Sequence, residues 1–307
     1  MAPDTEIVVT SSDRQRPLPR RLRKRVAESL ALSLQLVDQY WQEARLLVLT
    51  PGDTVPQRLE LDTLVFQDDQ LLLDGARLEG EPPPVHAILN KPTQVTSTAR
   101  DPDGKADLSG YLREMPRGCF PVGRLDRETS GLLLFTSDGD LANAVLRPDH
   151  ETTKTYWLWL DEVLEAGDPR LLQLQQGVEH HGQRLTAKDV RIRARHEYAT
   201  ELELVLTQGK KRQIRHMCRA LNLRLQHLHR SRIGTLSDSG LSLGQWRLLS
   251  TDEVEALWSA VGGRAWLRQR KVLALFRLAR AAREAGAPQL RLETWLAEEL
   301  ASQKQAE

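Results

Sequence analysis

The residue best placed to do chemistry is Asp126, in the segment PVGRLDRETSGLLLFTSDG (residues 121–139). Gly123 and Gly131 suit positions where the backbone needs unusual angles or where another backbone comes close. Leu132 to Phe135 make an unbroken apolar run bounded by turn residues, which predicts a buried strand. Asp126 therefore presents a carboxylate at the mouth of that strand. Taken alone, an Arg-Leu-Asp sequence favours a turn or cap aspartate over a catalytic one.

The longer string GRLDRETSGLLLFTSDG changes this balance, because it resembles, nearly position by position, the signature of the RsuA/RluF-type pseudouridine synthases. Lys154-Thr155-Tyr156 is similar to the Lys-x-Tyr segment of that family. GKKRQIRHM (residues 209–217), followed by residues 228–249, resembles its third motif and closing strands. The resemblance, to the RsuA/RluB/RluE/RluF-type family, covers about residues 86–258. Its members isomerise one uridine in ribosomal RNA.

The resemblance implies that Asp126, Tyr156 and Arg215 carry the reaction. Asp126 matches the catalytic aspartate, and Tyr156 is expected to stack on a flipped uracil and take its C5 proton. An ionised carboxylate in a dry pocket needs a nearby cation. Arg215, in the Gln-Ile-Arg position, is predicted to be that partner, with Arg212 as the alternative.

Further residues are predicted to bind the substrate. The predicted contacts are Arg124, Lys154, Lys210, Lys211, Arg212 and Ile233. Arg124 lies two residues before Asp126, so on an extended chain it points to the same side, where it is expected to fill the space left by the flipped base. Lys210, Lys211 and Arg212 are expected to hold phosphates, which position an RNA without reading its sequence. Ile233, with Leu225, fits either the lining of the pocket or ordinary core.

Pseudouridine formation breaks the N1 glycosidic bond, turns the uracil and joins C5 to the same ribose carbon. It needs no redox partner and no net hydrolysis, so we predict no cofactor. A stacked uridine must be flipped out at a cost of a few kcal/mol, which aromatic stacking worth about 1–3 kcal/mol per base can offset. We also predict no metal, because the pairs His180-His181 and His227/His229 lack cysteine or carboxylate partners at ligand spacing.

Charge is segregated along the chain. The 307 residues carry a formal net charge of only +1, but residues 14–25, 210–232 and 264–283 are rich in lysine and arginine. Solvated helix faces can produce such blocks, yet three of them suit an RNA phosphate backbone. Two cysteines cannot make a disulfide framework, and nowhere do about twenty apolar residues run together. The sequence thus predicts a cytoplasmic monomer with ribosomal RNA as its partner and no membrane association.

An α+β catalytic domain, residues 85–250, must position these groups. Many strands with few crossovers favour that class, and the resemblance implies a mostly antiparallel central sheet with the cleft across it. The predicted elements are strands at 85–92, 156–160, 184–193, 201–206 and 244–249 and helices at 138–147, 168–176 and 212–221.

Other segments flank this domain. Residues 1–19 are predicted to be a disordered arm. Residues 20–80, with a helical face broken near Ser33 and strands at 45–49 and 70–73, weakly resemble a small S4-like RNA-binding module; a helical cap would give a similar pattern. Residues 81–84 contain three prolines and predict a linker. Residues 251–307 are predicted to be a helical extension with a basic amphipathic helix that either packs on the core or contacts RNA.

The predicted function is site-specific isomerisation of uridine to pseudouridine in ribosomal RNA. The segments RQIRHMC and LGQWRLLSTDE look closest to large-subunit members of the family. The alternative is a catalytically inactive RNA-binding ribosome-assembly factor on the same scaffold, which need not keep Asp126, Tyr156 and Arg215 together. A DNA-binding regulator is disfavoured, because no helix-turn-helix or zinc pattern is recognisable.

Overall fold

The computed structural model describes residues 16–80, 82–287 and 289–304. They form two compact units. The terminal unit comprises the described residues up to Pro83 together with those from Gly262 onward, and the central unit comprises Pro84–Val261. The chain passes from one unit to the other at the proline run predicted as a linker. The predicted disordered arm lies outside the described residues except for residues 16–19.

The first part of the terminal unit folds as two helices and several short strands. Its elements are β1 (Arg20–Arg21), α1 (Leu22–Leu30), α2 (Leu34–Gln42), β2 (Leu46–Leu49), β3 (Leu64–Val65), β4 (Gln70–Leu73) and β5 (Ala76–Arg77). The predicted break near Ser33 is confirmed, because the Ser33 hydroxyl accepts a hydrogen bond from the Leu36 N–H and caps α2. The predicted order of two helices followed by strands is therefore present, while its identity as an S4-like module stays a prediction.

The central unit contains most of the strands. Its elements are β6 (His86–Lys91), α3 (Ser109–Glu114), β7 (Phe120–Pro121), β8 (Thr129–Thr136), α4 (Gly139–Leu146), β9 (Lys154–Leu160), α5 (Pro169–Gln176), β10 (Val178–His180), β11 (Gln183–Leu185), β12 (Asp189–Arg195), β13 (Thr200–Leu206), α6 (Gln213–Ala220), β14 (Leu225–Ile233), β15 (Leu236–Ser237), β16 (Trp246–Leu248) and α7 (Thr251–Ala260).

A nine-stranded sheet dominates the central unit. Seven strands follow the order β12-β13-β9-β14-β8-β6-β16, and off this path β15 pairs with β14 and β7 pairs with β8. The pairs are antiparallel except for β14 and β8, which run parallel. The mixed α/β fold and the mostly antiparallel central sheet are thus as predicted. Leucines of β9 and β13 pack with residues of α5 and α6 in one buried cluster, which fixes these two helices against one face of the sheet.

Two predicted boundaries differ from the structure. The strand predicted at 184–193 is two strands, because β11 pairs with β10 in a hairpin and β12 pairs with β13. Between them the Ala187 N–H bonds to the Leu174 carbonyl of α5 and ends the first ladder. The extension predicted to begin at residue 251 starts one residue earlier, because Ser250 caps α7: its hydroxyl and Glu253 form a capping box.

The last two helices, α8 (Gly263–Glu284) and α9 (Leu290–Lys304), belong to the terminal unit. Val272 and Leu275 of α8 and Trp295 of α9 pack with Phe66 in a buried cluster. The predicted extension 251–307 is therefore divided, with α7 in the central unit and α8 and α9 in the terminal unit. Within the described ranges, no helix combines the length and the apolar character needed to cross a bilayer.

Candidate active site

Asp126 lies in the loop between β7 and β8, and the loop backbone is held on both sides of it. The Ser97 hydroxyl donates to the Leu125 carbonyl at 2.8 Å and accepts from the Leu125 N–H at 3.0 Å. The Gln94 N–H donates to the Arg127 carbonyl at 2.7 Å. The Asp126 side chain keeps 29% of its surface exposed, so a rigid backbone presents a carboxylate that solvent or a substrate can reach.

Gly131 lets β14 approach β8 next to this loop. Its φ is +109°, and a Cβ there would lie 2.3 Å from the Arg230 carbonyl oxygen, which no side chain tolerates. The parallel register pairs Leu228 with Thr129 and Arg230 with Gly131. This glycine is therefore a requirement of the close strand contact beside Asp126, in agreement with its sequence interpretation.

Arg215 of α6 is the arginine that reaches Asp126. Its Nε lies 3.8 Å from Asp126 Oδ2, and its Nη2 donates to the Glu128 carbonyl at 3.1 Å and to Thr129 Oγ1 at 3.2 Å. The Nε is buried and has no hydrogen-bond partner. The guanidinium is thus anchored at the start of β8, with one donor left facing the carboxylate at ion-pair distance.

Arg212, the alternative partner, pairs elsewhere. It precedes α6 with a left-handed φ of +52°, and its Nη1 donates to Glu128 Oε2 at 3.0 Å. This hydrogen bond is the main reason why the pKa of the Glu128 carboxyl is lowered. Of the two arginines proposed from the sequence, the structure brings Arg215, and not Arg212, to Asp126.

Tyr156 is buried, with 9% of its surface exposed. It belongs to the same cluster as Leu125 and Ile214, the residues that directly precede Asp126 and Arg215. In the sheet it pairs with Arg230, which in turn pairs with Gly131. Tyr156 therefore shares a core cluster with the sequence neighbours of Asp126 and Arg215, and its place beside the substrate stays a prediction.

Lys154, the first residue of β9, pairs with Ile233, the last residue of β14, at the end of these strands that lies away from Thr129. Leu158, four residues after Lys154, pairs with Leu228 at the level of Thr129; at about 3.3 Å per residue, Lys154 lies roughly 13 Å along the strand from that level. The register does not gather these two residues around Asp126, and their contact with substrate stays a prediction. Leu225, by contrast, lies at the Thr129 end of β14.

Two buried cations beside the site were not found from the sequence. Lys91 is fully buried and donates to the carbonyls of Pro92 and Val95, each at 2.8 Å. Arg230 is 5% exposed; its Nε donates to the Leu132 carbonyl, and its Nη2 is buried without a partner. Lys91 pairs with Gly131 across β6 and β8. The only sequence signal for Lys91 is that it ends an apolar strand next to a proline.

The pKa values of the buried Lys91 and the half-buried Lys154 follow from this arrangement. Burial, and then the nearby Arg230, lower the pKa of Lys91 to about 8, while Asp126 and Glu128 act in the opposite direction. Burial and Arg230 likewise lower the pKa of Lys154 to about 8. Of the two lysines, Lys91 is the one whose pKa is influenced by the charge of Asp126.

The remaining predicted contacts lie at the surface. Arg124 and Lys211 are exposed, and within the described ranges the Arg124 side chain makes no hydrogen bond or ion pair. Lys210 is half-exposed, and its Nζ lies 3.4 Å from the Arg184 carbonyl of β11. These cations are available to an RNA backbone, which is the role the sequence predicts for Lys210 and Lys211.

No set of three or more histidine, cysteine or acidic side chains among the described residues is arranged to hold a metal ion.

A wide cleft of about 1040 Å³ runs along the loop of residues 99–113. None of the predicted site residues lines it.

Comparison with known proteins gives a consistent result. The model of the family described as "RNA pseudouridylate synthase" matches residues 85–220. A Bacillus subtilis protein named ribosomal large subunit pseudouridine synthase B is 32% identical over 240 residues, 77% of this chain and 95% of its own. The Shigella flexneri dual-specificity RNA pseudouridine synthase RluF is 30% identical over 78% of this chain and 79% of its own. A Vibrio cholerae ribosomal small subunit pseudouridine synthase A is 33% identical over 65% and 81%.

Among solved structures, a crystal structure of a pseudouridylate synthase matches with a TM-score of 0.52 and 23% identity, covering 77% of this chain and 99% of that one. At this level of identity the match concerns the fold alone. It supports the fold class predicted for the central unit.

Proposed function

Because this chain belongs to the RsuA/RluB/RluF-type family of RNA pseudouridine synthases, we propose that it converts one uridine of a ribosomal RNA into pseudouridine, with Asp126 as the catalytic carboxylate and no cofactor. Pseudouridine synthases are isomerases, so membership of this family identifies the protein as an isomerase. The observation that supports the catalytic assignment is the Asp126–Arg215 pair, at 3.8 Å, in a loop whose backbone is fixed by Ser97 and Gln94.

In the proposed reaction the target uridine leaves its stack and enters the site beside Tyr156. The ionised Asp126 acts on the ribose C1′ or assists departure of the base, the C1′–N1 bond breaks, and the uracil turns. A bond forms between C1′ and C5, the C5 proton leaves to Tyr156, and N1 gains a proton. Atoms balance without hydrolysis or redox chemistry. Arg215 holds the charge of Asp126 in place, and Arg124 fills the gap left by the base.

We place the target in large-subunit ribosomal RNA. The support is the likeness of the segments at residues 212–218 and 243–253 to large-subunit members, together with the Bacillus subtilis relative of that name. The other relatives bear the names of a dual-specificity enzyme and a small-subunit enzyme, so both possibilities are outcomes of the experiment below. The proposal also includes action as a monomer in the cytoplasm.

The test is a map of pseudouridines in ribosomal RNA from cells with and without this protein. The deletion should remove one site, which wild-type chain restores and Asp126→Asn does not, because the amide keeps the shape and lacks the anionic oxygen. The matched control is Asp138→Asn: Asp138 caps α4 through the Asp140 and Leu141 N–H groups, a role that asparagine also fills. Restoration by Asp126→Asn would overturn the assignment of Asp126.

An unchanged map on deletion, with RNA binding intact, would favour the alternative of an inactive ribosome-assembly factor. A lost site in a small-subunit RNA or in transfer RNA would correct only the choice of target.

A further inference from the structure

The aromatic rings of three histidines pack together where the β10–β11 hairpin meets α6, the helix that carries Arg215. His180 ends β10, His181 follows it in the hairpin turn, and His216 lies on α6. The rings of His180 and His216 stack with their centroids 3.9 Å apart, and those of His180 and His181 lie 4.2 Å apart. We call these three residues the histidine cluster.

The histidine cluster lacks the partners that other histidines of this protein have. His229 Nε2 lies 2.5 Å from Asp238 Oδ2, and His196 Nε2 lies 3.0 Å from Glu201 Oε1. In the part of the chain that the structure describes, no ring of the cluster hydrogen-bonds to or ion-pairs with another side chain. A positive charge on the cluster would therefore have no carboxylate partner among the described residues.

The surroundings of the cluster are basic. Partial burial comes first among the causes that lower the pKa of His216, followed by His180, Arg219, Arg212 and His181. The charged or titratable groups on the elements that meet there are Glu179, His180, His181 and Arg184 of the hairpin, Lys210 and Lys211 of the loop before α6, and Arg212, Arg215, His216 and Arg219 of the helix segment. Glu179 alternates with His180 along β10, which directs it to the opposite face of the hairpin.

Side-chain bonds fasten the hairpin to α6. The Gln213 Nε2, on a side chain that is 4% exposed, donates to the Thr186 carbonyl at 3.0 Å, and Lys210 Nζ lies near the Arg184 carbonyl. His216 directly follows Arg215, whose guanidinium reaches Asp126. These bonds hold the hairpin, and with it the cluster, against the helix that also carries Arg215.

We propose that the histidine cluster, with Lys210 and Arg212, binds a phosphate of the RNA substrate near the target uridine, and that the cluster takes up a proton from solvent as the phosphate binds. The proposal rests on the proposed function, because it takes the substrate to be RNA. Protonated stacked rings repel one another, and a phosphodiester anion removes that repulsion. RNA affinity should therefore rise as the pH falls through the range in which imidazoles titrate, about pH 7 to 6.

The experiment measures binding of the full chain carrying Asp126→Asn, which prevents turnover, to a uridine-containing RNA stem–loop labelled with a cyanine dye. Fluorescence anisotropy gives Kd at fixed monovalent salt from about pH 8 to about pH 5.5. Uptake of one proton should tighten binding by up to about tenfold per pH unit. His180→Gln and His216→Gln, added separately, should bind like the parent at the highest pH and lose most of this gain at the lowest.

The matched control is His196→Gln, which removes an exposed histidine already paired with Glu201 and should keep the parental pH dependence. Parental pH dependence in both cluster variants would overturn the proposal, and so would an equal weakening at every pH, which indicates a structural role alone. Because binding is measured without turnover, these outcomes are independent of the pseudouridine map. An unchanged pseudouridine map on deletion, together with an intact histidine effect, would refute the proposed function and leave the phosphate site standing.

Discussion

The Asp126–Arg215 pair is open in the absence of substrate. The distance of 3.8 Å from Nε to Oδ2 is too long for a hydrogen bond, and the buried Nε has no other partner. Arg215 is nevertheless anchored to the backbone at Glu128 and to Thr129. Catalytic hydrogen bonds are often long in substrate-free enzymes and tighten in the complex, so we expect this pair to close when the uridine enters.

This geometry separates the two candidate arginines. Arg215→Ala should lower kcat by about 100-fold or more, the usual effect of removing one preorganised charge partner, with RNA affinity changed only a few fold. Arg212→Ala loses a half-exposed pair with Glu128 and should affect Kd more than kcat. Single-turnover kinetics and RNA binding measured on both variants check this. The reverse pattern would reassign the role to Arg212.

The buried Lys91 and the half-buried Lys154 make the free energy of unfolding depend on pH. Lys91 and Lys154 have folded-state pKa values lowered to about 8, below the value near 10.4 of an exposed lysine. Between these pH values the unfolded chain binds more protons than the folded one, so the free energy of unfolding rises with pH, by at most about 1.4 kcal/mol per pH unit for each lysine.

Lys154→Met should remove the share of one lysine from that rise. Urea denaturation at about pH 7.5 and about pH 10 measures it, and the difference between variant and wild type should shrink or change sign toward high pH. The control is Lys211→Met, at an exposed position, whose difference should stay constant. A constant difference for Lys154→Met would mean that its amine remains hydrated in the folded state.

At the residue scale, the sequence predicts the Asp126–Arg215 pair well because both residues lie inside recognisable motifs. Lys91 and Arg230 were missed for a physical reason: their burial depends on the register of β6, β8 and β14, which meet at Gly131, and no local pattern contains that register. For the same reason the sequence leaves Ile233 between pocket lining and core, because its position depends on the register of two paired strands.

At the element scale, Gly131 supports the parallel contact between β8 and β14. Gly131→Ala should lower the free energy of unfolding by at least about 2 kcal/mol, because left-handed strain is added to a Cβ placed 2.3 Å from the Arg230 carbonyl. The matched control is Gly240→Ala: Gly240 also has a positive φ, +78°, but nothing lies within 4 Å of an added Cβ. It should cost only about 1 kcal/mol.

Thermal and urea denaturation of both variants make the comparison. Equal effects would show that β14 can move away from β8 at little cost. If Gly131→Ala folds at all, its kcat should also fall, because β14 carries Arg230 and packs beside the Asp126 loop.

The elements predicted best are those with a strong local pattern: apolar β8, alternating β9, and the α2 and α4 helices with Ser33 and Asp138 as caps. The sequence prediction joined β11 and β12 into one strand. Nothing local marks the end of β11, because the Ala187 N–H bonds to the Leu174 carbonyl of α5, which is a tertiary contact. Helix α9 was covered only by the general prediction of a helical extension at residues 251–307, since its apolar residues pack against α8 and Phe66, a contact that no local pattern contains.

At the scale of the whole molecule, the net charge is only +1, yet the arginines fall into two groups, buried ones in ion pairs and exposed ones. In the terminal unit, Arg268 of α8 is 11% exposed and makes a bidentate pair with the buried Glu299 of α9. Arg277 and Arg280 are exposed on the same helix. One face of the basic helix therefore packs inside its unit, and another is exposed; contact of that exposed face with RNA stays a prediction.

The last prediction separates these uses. If the exposed face of α8 contacts RNA, Arg277→Ala with Arg280→Ala should reduce the slope of log affinity against log salt by up to about 1.4, at about 0.7 per single-strand phosphate contact, and leave thermal stability unchanged. Arg268→Ala should do the opposite, because it removes a buried ion-pair partner of Glu299, a change that costs up to about 3–5 kcal/mol in a buried pair. Filter binding over a salt series and thermal denaturation give both readouts. An unaltered slope in the double variant would mean that the arginines of α8 serve only the terminal unit and its hydration, and that RNA is held by other basic segments.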